Sequence, residues 1–446
     1  SADFGEPEKR QLRQRGKYPA WSVLIARLEA KLASFEHRSP MDELRREISE
    51  KCREMARQER GLYRLTVPTG GGKTLASLRF GLYHACKHSM DRIIYVIPYT
   101  SIIDQNAHEI RRIMEVDEQD QGRIVLEHHS NLTPERETIL HKTLVENWDA
   151  PIVLTTMVQF LEALFAGGTR SCRRMHQLVN SIIIFDEIQS LPVQCVHLFN
   201  VAIRFLVSNC KSTVMLCTAT QPLLHQVLPQ TRALPYDPQK VISPSSSHAF
   251  QAQKRITVHD LTNLDALSFA EAAQLVWEQL ETSGSVLCVV NTKKAAYEIF
   301  TRLPDELGVE KYHLSTNMCP VHRLDVIMKI RRALKEKIPV ICVSTQLIEA
   351  GVDVDFSVVI RSLAGLDSVA QAAGRCNRHG LRPHKGKLFL IRLKEENLDQ
   401  LVEIKEGQKV ALRVLEEFRA NPERFKNNII GSQALEKFFE YFFFQR

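Results

Sequence analysis

The stretch Arg64-Leu65-Thr66-Val67-Pro68-Thr69-Gly70-Gly71-Gly72-Lys73-Thr74-Leu75 decides how this chain is read. An apolar, β-branched run ends at Val67, and residues 75–86 carry helical spacing, so the glycines occupy a turn between a strand and a helix. Glycines in such a turn let successive backbone N–H groups face a phosphate. The lysine then reaches the terminal phosphates, the threonine hydroxyl suits magnesium, and the helix N-terminus favours anions. Thr69, Gly70, Gly71, Gly72, Lys73 and Thr74 are therefore expected to bind a nucleoside triphosphate, with Thr74 also a metal ligand. The strict pattern places glycine six residues before the lysine, where this chain has Val67.

Outward from this turn, short Val/Ile-rich runs alternate with longer amphipathic stretches. Residues 63–67, 92–98, 152–155, 182–185 and 214–217 read as buried parallel strands, each followed by a helical pattern, which defines an α/β fold. Before them, Met41, Leu44, Ile48, Cys52 and Met55 recur at helical spacing. Periodicity stops near 234–254, where Ile242-Ser-Pro-Ser-Ser-Ser-His248 has linker composition. A second α/β block follows, with strands expected at 256–258, 285–290, 340–344, 357–360 and 387–390. The expected organisation is a helical lead-in at 1–58, an ATP-binding domain at 59–234, a linker at 235–254, a second domain at 255–395 and a helical segment at 396–446.

The chain has 446 residues, 44% hydrophobic and 25% charged, the balance of a globular protein with room for a large core. Its formal charge of +7 is spread along the sequence and permits a nucleic-acid partner without requiring one. The ten cysteines form no CxxC pair and read as reduced thiols, as an intracellular, cytoplasmic protein would carry. No apolar stretch approaches the roughly 18–20 residues needed to span a bilayer. The first residue is not methionine, so a longer parent protein is expected.

Further chemistry lies at strand ends, where open parallel sheets bind ligands. Asp186 and Glu187 follow the run Ser181-Ile-Ile-Ile-Phe185. Beside the lysine loop, Asp186 is expected to hold magnesium and Glu187 to polarise the attacking water; alone, the pair would be an ordinary helix start. Thr218-Ala219-Thr220 offers two hydroxyls that either link the carboxylates to the neighbouring domain or cap a helix. Thr100, Thr155 and Thr156 also follow strands and suit contact with a nucleic-acid backbone. In the second block, Thr345 and Gln346 are candidates for nucleic acid and Asp353 for nucleotide. Gln371, Arg375 and Arg378 share one face if helical, and such arginines can reach across a cleft to a γ-phosphate; a solvated basic face is the plain alternative.

The order of these motifs resembles that of superfamily 2 helicases over roughly residues 61–380. That resemblance implies two tandem RecA-like domains that sandwich ATP, with nucleic acid crossing both. The wording between the motifs is similar to the CRISPR-associated helicase of type I systems: Phe185-Asp-Glu-Ile-Gln189-Ser-Leu-Pro192, Thr218-Ala-Thr-Gln-Pro222, Ser344-Thr-Gln-Leu-Ile-Glu-Ala-Gly-Val-Asp353 and Gln371-Ala-Ala-Gly-Arg-Cys-Asn-Arg378. Tyr312-His-Leu-Ser-Thr316 and His322-Arg323 look similar too. The likeness implies ATP- and Mg2+-dependent 3′ to 5′ movement on single-stranded DNA and recruitment by the Cascade surveillance complex. It also implies an HD nuclease domain or subunit. His259-Asp260 is the only His-Asp dipeptide and reads as structural, so the nuclease is expected outside this chain. An RNA helicase of the same superfamily and a binding module with a silent ATPase are the alternatives; Lys73, Thr74, Asp186, Glu187, Arg375 and Arg378 argue against the silent one. Adenine recognition is left open, with Gln58 one candidate.

Overall fold

The computed structural model describes residues 18–444 except 37–38, 69, 99, 129–146, 167–173, 220, 246–254, 350–351, 381 and 383. It contains two parallel sheets, each flanked by helices. The first has strands β1 (Leu62–Thr66), β2 (Arg92–Ile97), β3 (Val125–His128), β4 (Ile152–Thr156), β5 (Ser181–Phe185), β6 (Thr213–Thr218) and β7 (Val241–Ile242), in the order β3-β4-β2-β5-β6-β1-β7. Strands covered on both faces need continuous apolar runs, and the interior β2 and β5 are buried at every position. Strand β6 lies between β1 and β5, which brings the loop after β1 close to the carboxylates after β5.

Among the described residues, the helices of this lobe are α1 (Trp21–Ala33), α2 (Pro40–Met55), α3 (Lys73–His88), α4 (Thr100–Met114), α5 (Met157–Phe165) and α6 (Val196–Asn209). Met41, Leu44, Ile48 and Cys52 are all buried, so the helical stripe of α2 faces the core as its spacing predicts. Arg79 of α3, 4% exposed, ties three helices together. It bonds Glu29 of α1 at 2.6 Å through two nitrogens, and Glu50 and Ser49 of α2 at 2.8 and 3.1 Å.

The second sheet has the order β10-β11-β9-β12-β13-β8, from β8 (Ile256–Asp260), β9 (Ser285–Val289), β10 (Glu310–Leu314), β11 (Val340–Ser344), β12 (Val358–Ser362) and β13 (Gly386–Ile391). Its helices are α7 (Phe269–Ser283), α8 (Lys293–Arg302), α9 (Pro320–Glu336), α10 (Leu366–Ala373), α11 (Val402–Ala420) and α12 (Ser432–Phe444). The aromatic run of α12 packs on the core of this second lobe through Phe438, Phe439 and Tyr441. Phe443 also reaches the core of the first lobe.

Two expectations need correction here. Val241 and Ile242, assigned to the linker, pair with Arg64 and Leu65 of β1, so the first sheet extends into that segment. The helical face proposed for Gln371, Arg375 and Arg378 does not form, because α10 ends at Ala373 and Cys376 bridges Phe356 in extended backbone. Among the described residues, no helix is long and apolar enough to cross a membrane.

Candidate active site between the lobes

The phosphate loop is built for close backbone approach. A Cβ on Gly71 would lie 2.5 Å from Val67 Cγ1, and Gly72 sits at φ 78°, a conformation glycine adopts at little cost. Lys73 and Thr74 open α3, so their side chains start beside free helix N–H groups. Lys73 Nζ bonds Glu187 Oε1 and lies 3.6 Å from Asp186 Oδ1. Burial alone would pull this ammonium's pKa down, but the two carboxylates hold it above its ordinary value. Glu187 is likewise pushed up by burial, yet the Lys73 charge outweighs that and holds its carboxyl below the usual range. For Asp186 burial dominates, and its carboxyl is raised.

A relay of side chains orients Glu187. Its second oxygen, Oε2, accepts from Gln189 Nε2 at 2.6 Å, and Gln189 Oε1 accepts from the hydroxyl of Thr218. Thr218, at the end of β6, thus reaches the carboxylate pair through Gln189. Thr220, like Thr69, lies outside the described residues. Glu187 itself sits at φ 51°, a left-handed conformation uncommon for a non-glycine residue.

The second lobe faces this cluster with its arginine loop. Arg378 passes over the phosphate loop, and a Cβ added to Gly70 would lie 3.7 Å from its Cγ. Its Nε pairs with Asp353 Oδ1 at 2.7 Å, and its main-chain N–H donates to Asp355 Oδ1 at 2.8 Å. Arg375 behaves differently. It is 4% exposed and donates to the carbonyls of Ile348 and Glu349 at 3.0 and 2.6 Å, which fixes the turn Gln346–Ile348. Burial and the neighbouring Arg378 lower its pKa to about 9, while the Glu187 charge across the cleft acts in the opposite direction. One arginine therefore lies over the loop and the other braces its surroundings.

Residues 46–227 match the DEAD/DEAH box helicase family, and residues 282–381 match the C-terminal family of the CRISPR-associated nuclease/helicase Cas3. The CRISPR-associated nuclease/helicase Cas3 of Haloferax volcanii is 25% identical over 472 residues, covering 79% of this chain and 50% of the relative. The chain is thus similar to the helicase portion of Cas3-type proteins. The Cas3 fold extends over nearly all of it: the crystal structure of T. fusca Cas3-AMPPNP superposes with a TM-score of 0.65 at 16% identity, covering 94% of this chain and 54% of that one. The helicase Lhr of Mycobacterium smegmatis, bound to ssDNA and AMP-PNP, superposes at 0.53 and 17% identity over 90% of this chain and 50% of that one. The chain spans about half the length of the Haloferax relative.

Within the two lobes, not every expected contact residue is placed to serve. Thr155, proposed for nucleic acid, is corrected to a structural residue: it is fully buried, and its hydroxyl donates to the carbonyl of His128 at 3.2 Å. Thr156 is half-buried, and its hydroxyl accepts from Gln159 N–H at 3.2 Å as the cap of α5. Thr345 is 8% exposed, whereas Gln346 is half-buried at the start of its turn and Gln371 half-buried on α10. Thr100 opens α4, and its side chain lies outside the described residues. His259 stacks on Phe389 at 4.7 Å, and Asp260 pairs with Arg419 at 2.6 Å.

Residues not foreseen from sequence complete the loop's surroundings. Asn106 Oδ1 stands 3.5 Å from Thr74 Oγ1, and Arg45 of α2 donates from Nε to the carbonyl of Gly70 at 2.9 Å. Gln58 lies beyond the far end of α2, beside His88, so the part of that helix near the phosphate loop is its beginning, at Met41 and Arg45.

Proposed function

We propose that the chain is an ATP-driven motor on single-stranded DNA, the helicase part of type I CRISPR interference. The observation that carries this reading is the pairing of a Lys73–Glu187 cluster in one lobe with Arg378 of the other, poised over the same loop. The Gly70–Gly72 backbone and the start of α3 would cradle the phosphates. Lys73 would exchange Glu187 for the β- and γ-oxygens, which frees Glu187 to orient a water and take its proton as the oxygen–phosphorus bond forms and the β,γ-bridge breaks. Magnesium, held by the hard oxygens of Thr74 and Asp186, would draw charge from the phosphates. Arg378 would leave Asp353 and stabilise the transition state, while Arg375 keeps the Gln346 turn in register.

Repeated closing and opening of the lobes would step the strand across Thr156, Gln346 and neighbouring loops. Contacts of this kind fall on the backbone and need no base sequence. The family likeness supports recruitment by a Cascade-type complex and cooperation with an HD nuclease domain or subunit.

Replacing the Glu187 carboxylate by an amide removes the base and keeps the shape. Glu187→Gln is expected to lower ATP turnover by about 10²–10⁴-fold while ATP binding persists, because general-base catalysis is typically worth that factor. Turnover rates alongside equilibrium nucleotide titration check this, and unchanged turnover would mean that another group positions the water. For Arg378→Ala, kcat is expected to fall by about 10³-fold or more with nucleotide affinity less affected, as for an arginine finger. Equal losses in kcat and binding would remove that role.

A further inference from the structure

We propose that Arg255 is a positioning residue, which sets Arg378 over the phosphate loop and joins that placement to contact between the lobes. The inference rests on the finger role given to Arg378 above. Arg255 stands one residue before β8, where the chain enters the second lobe. Its carbonyl accepts from Gly386 N at 2.9 Å and from Asn377 Nδ2 at 3.1 Å, which pins its main chain to β13 and to the arginine loop itself. Its Nη1 donates to the carbonyl of Arg378 and lies 3.6 Å from Met41 Sδ, on α2 of the first lobe. Met41 in turn is 3.9 Å from a Cβ built on Gly70 and from one built on Gly380, so it touches both the phosphate loop and the arginine loop.

Arg378 is thereby held at three points. Asp355 takes its N–H, Asp353 its guanidinium, and Arg255 its carbonyl. Burial together with the Arg378 charge lowers the Arg255 pKa to about 10, against the pull of Asp355. What the guanidinium adds is a fixed carbonyl for Arg378 and a link to α2. A displacement of about 1 Å at a reacting centre can cost on the order of 10²-fold in rate, so the main-chain placement of Arg378 beside Gly70 matters to where its guanidinium can reach.

The test is a double-mutant cycle of Arg255→Met and Arg378→Ala in the full chain, read as kcat and nucleotide affinity, with Tm for each protein. Met keeps the apolar stem and removes the donors. Arg255→Met is expected to lower kcat by about ten- to a hundred-fold while nucleotide affinity changes by less than about threefold. Added to Arg378→Ala it should cause no further loss, because both changes remove one interaction. Arg255→Lys, which keeps a donor, should recover part of the rate. Normal turnover in Arg255→Met beside an impaired Arg378→Ala overturns the role of Arg255 alone, as does a double mutant whose losses multiply. An Arg378→Ala protein with full turnover overturns the finger role, and the positioning role with it.

Discussion

Lys73→Ala is expected to abolish ATP hydrolysis, with a fall in turnover of at least about 10²–10³-fold, the scale on which a single charge-stabilising group acts in a water-excluded site. The geometry adds a second consequence. Lys73 is the cation that Glu187 bonds, with Asp186 at 3.6 Å. Without it two buried carboxylates repel one another, and Glu187 loses the charge that holds its carboxyl low. A depressed carboxyl stabilises the fold above its unfolded pKa of about 4.3, and that contribution disappears as pH falls through the folded value. The Tm difference between wild type and Lys73→Ala should therefore narrow in acid. Steady-state turnover and thermal melts at two pH values measure both effects; a variant with near-normal turnover would remove Lys73 from the chemistry.

Glu349→Ala is expected to give the largest loss of stability. Arg361 and Glu349 are 0% and 4% exposed and pair at 2.6 Å, so removal of the carboxylate leaves a charge buried without its counter-ion, at a cost of about 3–5 kcal/mol. Asn291 and Ser368 still bond Arg361, at 2.8 and 3.1 Å, but neither carries charge. For a lobe of this size the melting of the second lobe should fall by roughly 6–20 °C. Replacing the pair together, Glu349→Leu with Arg361→Met, should cost far less, since matched apolar residues often substitute for buried ion pairs. Differential scanning calorimetry checks both, and a loss below about 1 kcal/mol for Glu349→Ala would mean that Arg361 finds another counter-charge.

Much of the fold was legible because interior parallel strands must be apolar throughout. The runs at β2, β5, β9 and β11 announce themselves for that reason. The edge strand β10, Glu310-Lys-Tyr-His-Leu314, is half-buried and carries polar residues at most positions, so no apolar run marks it. Strand β7 is two residues long and exists because β1 offers a free edge. The arginine loop misled for a related reason: i, i+4, i+7 spacing fits a helix, but Gly374 ends α10 and the bridge of Cys376 to Phe356 draws the chain into extended backbone.

At the site, the residues with motif spacing were readable and those placed by packing were not. Asn106, Arg45 and Arg255 approach the loop and its arginine from separate elements, and no local pattern distinguishes them from surface polar residues. Thr155 shows the converse. A hydroxyl at a strand end looks available in sequence, yet its neighbour His128 on β3 takes the bond. The likeness in wording was the more specific guide to Gln189, whose place between Thr218 and Glu187 gives that position a physical role.

The central claim is a two-lobed ATPase that moves on DNA, and the most direct test is ATP turnover with single-stranded DNA or RNA of equal length, at equal ionic strength because backbone binding is salt-dependent. Strong stimulation by single-stranded DNA, lost in Arg378→Ala, is expected. Stimulation by RNA alone, or turnover that neither nucleic acid changes, would contradict it.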